Sequence, residues 1–292
     1  MRALVVAKTP KLDVLRESQP SVVDELRRRD ASAFDALEAG AARQRASLDR
    51  TLHELDAAGV RAKLLTRAEF AGPEADTDFV LAVGGDGTVL DVSHRLERTP
   101  LLGVNSDPET SVGYFCACDA EGLRGVVEDL IAGRAHHVTL HRISIFVNGV
   151  RYPFPCLNDI LVTNENPAAM SRYVIRAGRR AEAQASSGIW ISTPAGSTGG
   201  IRSAGGTVMP LEGALIQYFV REPYAPKLGR YELLRGVRHL REGLEIRSRM
   251  TDGRVYIDGP YLEFSFALGD VLELTEGPPL RIVGMHPALR ER

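Results

Sequence analysis

Near residue 137 the hydrophobic pattern changes period, which rules out one continuous layered sheet for the whole chain. Upstream, short β-branched or leucine-rich runs alternate with helical stretches. The pattern predicts strands at Ala3–Ala7, Arg61–Leu65, Phe79–Val83 and Leu101–Val104. It predicts helices over Ala33–Ala58, as one long helix or two, and over Thr88–Leu96 and Glu121–Ala132. Such alternation belongs to a mostly parallel sheet covered by helices. Downstream, HVTLHRISIFVNG, CLNDILVTN, SRYVIRAG, SGIWIST, ALIQYFVREP, GLEIRSRM, RVYIDG, LEFSFALG and VLELTEG are short alternating runs punctuated by Gly, Pro, Asn or Asp, as in an all-β unit. Asn148-Gly149 is the clearest hairpin turn among them. Leu280–Met285 is apolar enough to be buried and is expected to return to the first domain's sheet.

A length of 292 residues suits two domains, or one with a large extension. With 44% hydrophobic and 25% charged residues and a formal charge of −2, the composition is that of a globular protein with no global attraction to nucleic acid or anionic membrane. No segment approaches the roughly 18 apolar residues of a membrane span, and the start MRALVVAKTP is too short for a signal-peptide core. The expectation is a cytoplasmic protein. Its three cysteines, Cys116, Cys118 and Cys156, are odd in number and lack zinc-like spacing, so reduced structural thiols and no metal ligands are expected.

Any phosphate chemistry must then be local, and "LAVGGDGTVLDV" (81–92) is where it is expected. Gly84-Gly85-Asp86-Gly87-Thr88 follows a buried strand and precedes a helix, at the end of a parallel strand where open α/β sheets bind ligands. Glycines let backbone amides approach an anion, and the helix start adds partial positive charge. Asp86 opposes a phosphate unless it takes a proton from a nucleophile or sits near a divalent cation, both of which phosphoryl transfer uses. The plainer alternative is a tight turn with Asp86 as helix cap. No Walker-type or Gly-x-Gly-x-x-Gly dinucleotide fingerprint is present. A second stretch, "SSGIWISTPAGSTGGIRSAGG" (186–206), runs from a β-run into hydroxyls and glycines that can bond ribose, phosphate or amide groups, or simply cap a helix.

GGDGT (84–88), Asn158-Asp159 in "LNDILV", and "STPAGST" (192–198) followed by "SAGG" (203–206) resemble the NAD kinase family in order and spacing. The resemblance extends through "GVNSD" (103–107), "VGYF" (112–115) and "YIDGP" (256–260). It implies an N-terminal Rossmann-like α/β domain (1–136) carrying the phosphate-donor turn. A β-sandwich-like dinucleotide-binding domain (137–275) would follow, with a final segment (276–292) packing back on the first domain. The reaction implied is transfer of the terminal phosphoryl group of ATP, with Mg²⁺, to the adenosine 2′-hydroxyl of NAD or NADH.

Position by position, the resemblance makes Asp86 the general base, with Gly85, Gly87 and Thr88 shaping the donor side and Asn105 beside them. Asn158 and Asp159 match the pair that grips the dinucleotide. Thr198, Gly199 and Ser203 lie around the adenosine, with Tyr114 and Phe115 as aromatic or backbone contacts, and Ser187 is a further dinucleotide-binding residue. Ser187-Gly188 and Gly199-Gly200 depart from the common pattern, where a carboxylate and a tyrosine stand. With "SSG", "GSTGG…SAGG…MP" and "QYFVREP" (217–223) these departures resemble the short plant-type NADH kinase branch. The family also implies a homodimer or homotetramer.

Other residues have plainer readings. Arg142, Arg179 and Arg180 could meet diphosphate oxygens but read as surface arginines, and His136, His137 and His141 read as partly exposed structural residues. Trp190, between Ile189 and Ile191, reads as packing, Arg27–Arg29 as a solvated helix face and Asp91 as structural. Two competing functions fit parts of the pattern. One is a GGDGT-type lipid kinase, which leaves Asn158-Asp159 unexplained and for which no amphipathic membrane stretch is evident. The other is a non-catalytic dinucleotide sensor.

Overall fold

The computed structural model describes residues 1–224 and 230–285. The chain divides into two compact units, Met1–Val138 with Arg281–Arg292, and Thr139–Leu280. The sequence expectation put the boundaries at 136/137 and 275/276. Residues 286–292 of the expected final segment lie outside the described residues.

The first unit runs β1 (Arg2–Ala7), α1 (Lys11–Ser18), α2 (Pro20–Arg29), α3 (Ala31–Ala57), β2 (Arg61–Thr66), β3 (Phe79–Gly84), α4 (Asp86–Ser93), β4 (Leu101–Asn105), β5 (Cys116–Asp119), α5 (Leu123–Ile131) and β6 (His137–Leu140). Strands β2, β1, β3 and β4 pair in that order, all parallel. Every residue of β3, FVLAVG, is buried, because helices cover both faces of such a sheet and no side chain needs to be polar. The order places β2 and β3 on opposite sides of β1, so the connection direction reverses between β1 and β3. Ligands bind such sheets at the carboxyl ends of the strands flanking that point. Helix α3 is a single helix of 27 residues, begun by Asp30, whose carboxylate accepts from the Ala33 N–H at 2.9 Å.

The second unit contains β7 (Ile143–Val147), β8 (Val150–Arg151), β9 (Asp159–Asn164), β10 (Ser171–Ala177), β11 (Arg180–Ser186), β12 (Gly188–Ser192), the short helix α6 (Gly200–Ser203), β13 (Leu215–Arg221), β14 (Arg235–His239), β15 (Leu244–Ser248), β16 (Gly253–Ile257), β17 (Leu262–Ser265) and β18 (Val271–Glu276). They form two six-stranded sheets, in the orders β11-β10-β15-β18-β7-β8 and β14-β13-β12-β9-β16-β17. Alternate residues of both sheets share one core. Ile145, Ile175, Ile246 and Leu272 come from the first sheet, and Ile160, Ile189, Ile191 and Val255 from the second. This is the expected β-sandwich. Asn148 and Gly149 adopt φ of 52° and 78°, the left-handed pair of a two-residue hairpin turn between β7 and β8.

The last strand, β19 (Leu280–Val283), returns to the first unit's sheet and pairs parallel with β4 through Ile282 and Leu101. The expected return is thus made by residues 280–283. Differences from the sequence reading are confined to particular elements. Helix α1 and strands β5, β11 and β14 were not expected, and of α2 only the solvated helix face Arg27–Arg29 was. The run HVTLHRISIFVNG breaks at His141-Arg142. Arg142, expected at the surface, is instead fully buried, with its Nε donating to the Pro278 carbonyl at 2.7 Å, and is a structural residue.

Candidate active site

In the first unit, the turn after β3 is built by close backbone approach. A Cβ on Gly84 would stand 2.2 Å from Thr88 Oγ1, and one on Gly85 would stand 2.9 Å from Ser111 Oγ. Gly84 is required by the fold itself, since the Thr88 Cβ also lies only 2.7 Å away, whereas at Gly85 only the rotatable Ser111 hydroxyl stands that close. Gly87 differs: a Cβ there would meet nothing within 4 Å, so packing does not explain the glycine. Thr88 is buried beneath the turn, and its hydroxyl has no hydrogen-bond partner among the described residues. The open carbonyl of Val83 at the strand end is capped by Gln44 Nε2 at 3.2 Å and by the Lys8 N–H at 3.0 Å.

Asp86 is the first residue of α4 and is half-buried. Its Oδ1 accepts from the Phe115 backbone N–H at 2.8 Å. That bond fixes the carboxylate while Oδ2 takes no protein hydrogen bond among the described residues. Phe115 itself is buried, so what it offers the site is its backbone, while Tyr114 lies half-buried edge-to-face against it at 4.9 Å between centroids. Asn105 is committed to the neighbouring loop. Its Nδ2 donates to the Ser111 carbonyl at 2.9 Å and its Oδ1 accepts from the Asp107 N–H at 3.2 Å. Asp107 is in turn held by a two-pronged bond from Arg43 at 2.8 and 3.1 Å. Asp91, one turn beyond Asp86, is paired with Arg67 at 2.7 Å and faces Arg95 at 3.5 Å, which gives it the structural place expected of it.

In the second unit, Asn158 and Asp159 enter β9 through a bend organised by a residue that sequence reasoning left out of the site. Asp258, just past the end of β16, adopts φ 51° and turns its carboxylate onto that bend. Oδ1 accepts from the N–H groups of Asn158 at 2.7 Å and Asp159 at 3.0 Å and from the Cys156 thiol at 3.1 Å, and Oδ2 accepts from the Leu157 N–H at 2.8 Å. The Asp258 N–H donates back to the Asp159 carbonyl at 2.8 Å. Its only sequence signal is an Asp-Gly pair at a strand end, in "YIDGP".

The 192–198 stretch is tied to the same bend. Thr193 Oγ1 donates to the Leu157 carbonyl at 2.6 Å, and a Cβ on Gly196 would lie 1.9 Å from the Asn158 carbonyl oxygen. Asp159 itself is buried, with Oδ2 at 3.4 Å from Asn158 Nδ2. Burial, reinforced by the charge of Asp258, pushes its pKa up to about 7. Burial likewise raises the Cys156 thiol well above the usual thiol range, and all three cysteines are free. Thr198 and Gly199 are half-buried beside Asn158 and Asp159, whereas Ser203 is exposed and Ser187 spends its carbonyl on Thr163 Oγ1 at 3.2 Å. Arg180 is an exposed partner of Glu232 at 3.1 Å.

A carboxylate held at the carboxyl end of a parallel strand, beside a glycine free to meet a ligand, is an arrangement that phosphoryl transfer by positioning can use. Comparisons with known proteins narrow this reading. The ATP-NAD kinase N-terminal domain matches residues 29–135. A probable NADH kinase from Oryza sativa subsp. japonica is 35% identical over 236 residues, 73% of this chain and 73% of that protein. The NADH kinase of Arabidopsis thaliana is 34% identical over 241 residues, 75% of this chain and 76% of its own length.

Solved structures share the fold. An NAD kinase from Archaeoglobus fulgidus in complex with ATP superposes with a TM-score of 0.69 at 20% identity, covering 100% of this chain and 96% of that one. Yeast NADH kinase complexed with NADH gives 0.69 at 15% identity, covering 99% and 85%. The chain belongs to the NAD kinase family, enzymes that phosphorylate NAD(H).

Proposed function

We propose that the protein transfers the terminal phosphoryl group of ATP to the adenosine 2′-hydroxyl of NADH or NAD, giving NADPH or NADP, with Asp86 as general base. The observation that carries this is the Asp86 carboxylate, oriented through Oδ1 by the Phe115 N–H at 2.8 Å with its second oxygen left for a substrate proton. A ribose hydroxyl is a weak nucleophile at neutral pH. As it attacks the terminal phosphorus, its proton passes to Asp86 and the bond to the ADP leaving group breaks. Gly87 admits the donor phosphates to the α4 N-terminus. Asn158 and Asp159, set by Asp258, hold the ribose hydroxyls of the acceptor.

Magnesium would enter with ATP, as the family resemblance implies, and would there neutralise charge on the triphosphate. We further infer a cytoplasmic homodimer or homotetramer, as family resemblance implies; no helix among the described residues is long and apolar enough to cross a membrane. The plant relatives named NADH kinase favour the reduced dinucleotide as acceptor.

Incubation with MgATP and either NADH or NAD tests the reading, with the product measured by a dehydrogenase that accepts only the phosphorylated cofactor. Product formation, with a higher kcat/KM for NADH, is expected. Tight dinucleotide binding without turnover would instead identify a sensor, and phosphorylation only of diacylglycerol a lipid kinase.

A further inference from the structure

We propose that Trp190 is the aromatic wall of a subsite that takes one planar base of the dinucleotide, which makes it a specificity-determining residue of this chain. The inference rests on the reading that Asn158 and Asp159 hold the acceptor. Side chains alternate along a strand, and Ile189 and Ile191 of β12 fill the sandwich core. Trp190 therefore stands on the outer face of its sheet, where it is half-buried. Register aligns it there with Leu161 of β9 on one side and Phe219 of β13 on the other, and Leu161 with Tyr256 of β16.

An aromatic and aliphatic row thus crosses the outer face, and α6 covers one end of it. A Cβ on Gly205, just past that helix, would lie 3.1 Å from the Phe219 ring, and one on Gly200 would lie 3.2 Å from the Trp190 ring. Gly200 lets the chain pass the indole edge without displacing it. The other end of the row is open. Trp190, Leu161 and Tyr256, with Gly259 and Pro260 at the rim, line a cavity of about 330 Å³ whose walls are almost wholly carbon.

Asp159 is the one carboxylate in that wall, so the cavity begins at the residue already assigned to the acceptor. Its size is at the small end of ligand pockets, about 300–1,000 Å³, with room for a base and its sugar but not for a whole dinucleotide. A carbon-walled space lined by an indole and a phenol, with a single carboxylate in its wall, fits a heteroaromatic ring bearing an adjacent ribose.

Trp190 is the sole tryptophan of the chain, so its emission reports on this cavity directly. The oxidised dinucleotide does not absorb where tryptophan emits, and quenching by NAD therefore requires contact rather than energy transfer. We expect saturable quenching of the full-length protein by NAD at a midpoint matching the calorimetric Kd. Whichever of AMP and nicotinamide mononucleotide also quenches identifies the base. Trp190→Ala should raise the dinucleotide KM about 5- to 150-fold, the range for loss of one base–aromatic stack. The KM for ATP should stay within about twofold, and Trp190→Phe should retain most of the affinity.

NAD binding by calorimetry with unchanged Trp190 emission would overturn the inference while leaving the acceptor reading intact. So would a Trp190→Ala protein that changes oligomeric mass but not dinucleotide affinity, which would assign the face to a second copy of the chain. Absence of any NAD binding to the unmodified protein would overturn the acceptor reading and this inference with it.

Discussion

Asp86 and Asp91 lie on one short helix and carry the same functional group, yet their surroundings give them different chemistry. Arg67 and Arg95 engage both oxygens of Asp91, whereas Asp86 has one oxygen fixed by a backbone N–H. The glycines of the same turn divide in the same manner. Gly84 is demanded by Thr88 and Gly85 is crowded only by the Ser111 hydroxyl, while Gly87 has open space where a Cβ would go. Gly87→Ala should therefore fold with unchanged or slightly higher stability, up to about 1 kcal/mol from helix propensity. Its KM for ATP should nonetheless rise at least about tenfold if phosphates approach closely there. Melting curves and ATP-dependent kinetics on the same preparation check both halves.

Asp159 makes a pH-dependent prediction at this scale. Its folded-state pKa, about 7, lies above the ordinary carboxylate value, so the folded chain retains a proton that the unfolded chain releases at lower pH. Its contribution to stability therefore falls as pH rises from the usual carboxylate range to about 7, then levels off. Asp159→Asn should flatten the melting temperature against pH across that window. An unchanged slope would mean that another group titrates.

At the scale of elements, the bend before β9 is held by a residue about a hundred positions away. Asp258 accepts three consecutive backbone N–H groups and a thiol, in a left-handed conformation costing a non-glycine residue roughly 1–2 kcal/mol. Asp258→Asn replaces one acceptor oxygen by a donor. It should cost about 1–3 kcal/mol of stability and raise the dinucleotide KM while leaving that for ATP unchanged, as denaturant titration and steady-state kinetics would measure.

The elements that the hydrophobic pattern concealed are short, polar or at a sheet edge. Strands β11 (RAEAQAS) and β14 (RGVRH) are each the edge of a six-stranded sheet, where one flank is solvated and alternation weakens. Strand β5 has only four residues. Helices α1 and α2 bury only Leu12 and Val23 respectively, beneath charged surfaces. The candidate site followed the same logic. Asp86, Asn158 and Asp159 stand in dense local motifs, whereas Asp258 takes its meaning from neighbours that only the folded sandwich supplies, and Trp190 from the side of the sheet it faces.

For the molecule as a whole, the proposed function divides between two differently built units: the turn after β3 of the parallel sheet would take the phosphate donor, and the polar pair that the sandwich braces would take the dinucleotide. Family membership connects these features to phosphorylation of NAD(H). The central claim is that the acceptor hydroxyl is activated by Asp86. Its most direct test is single-turnover formation of NADPH from NADH and MgATP by the Asp86→Asn protein, with dinucleotide affinity measured alongside. Asparagine keeps the Oδ1 that accepts from Phe115 but cannot take the proton. The predicted result is a rate lower by about 10²-fold or more with dinucleotide binding preserved; a rate near that of the unmodified protein would contradict the account.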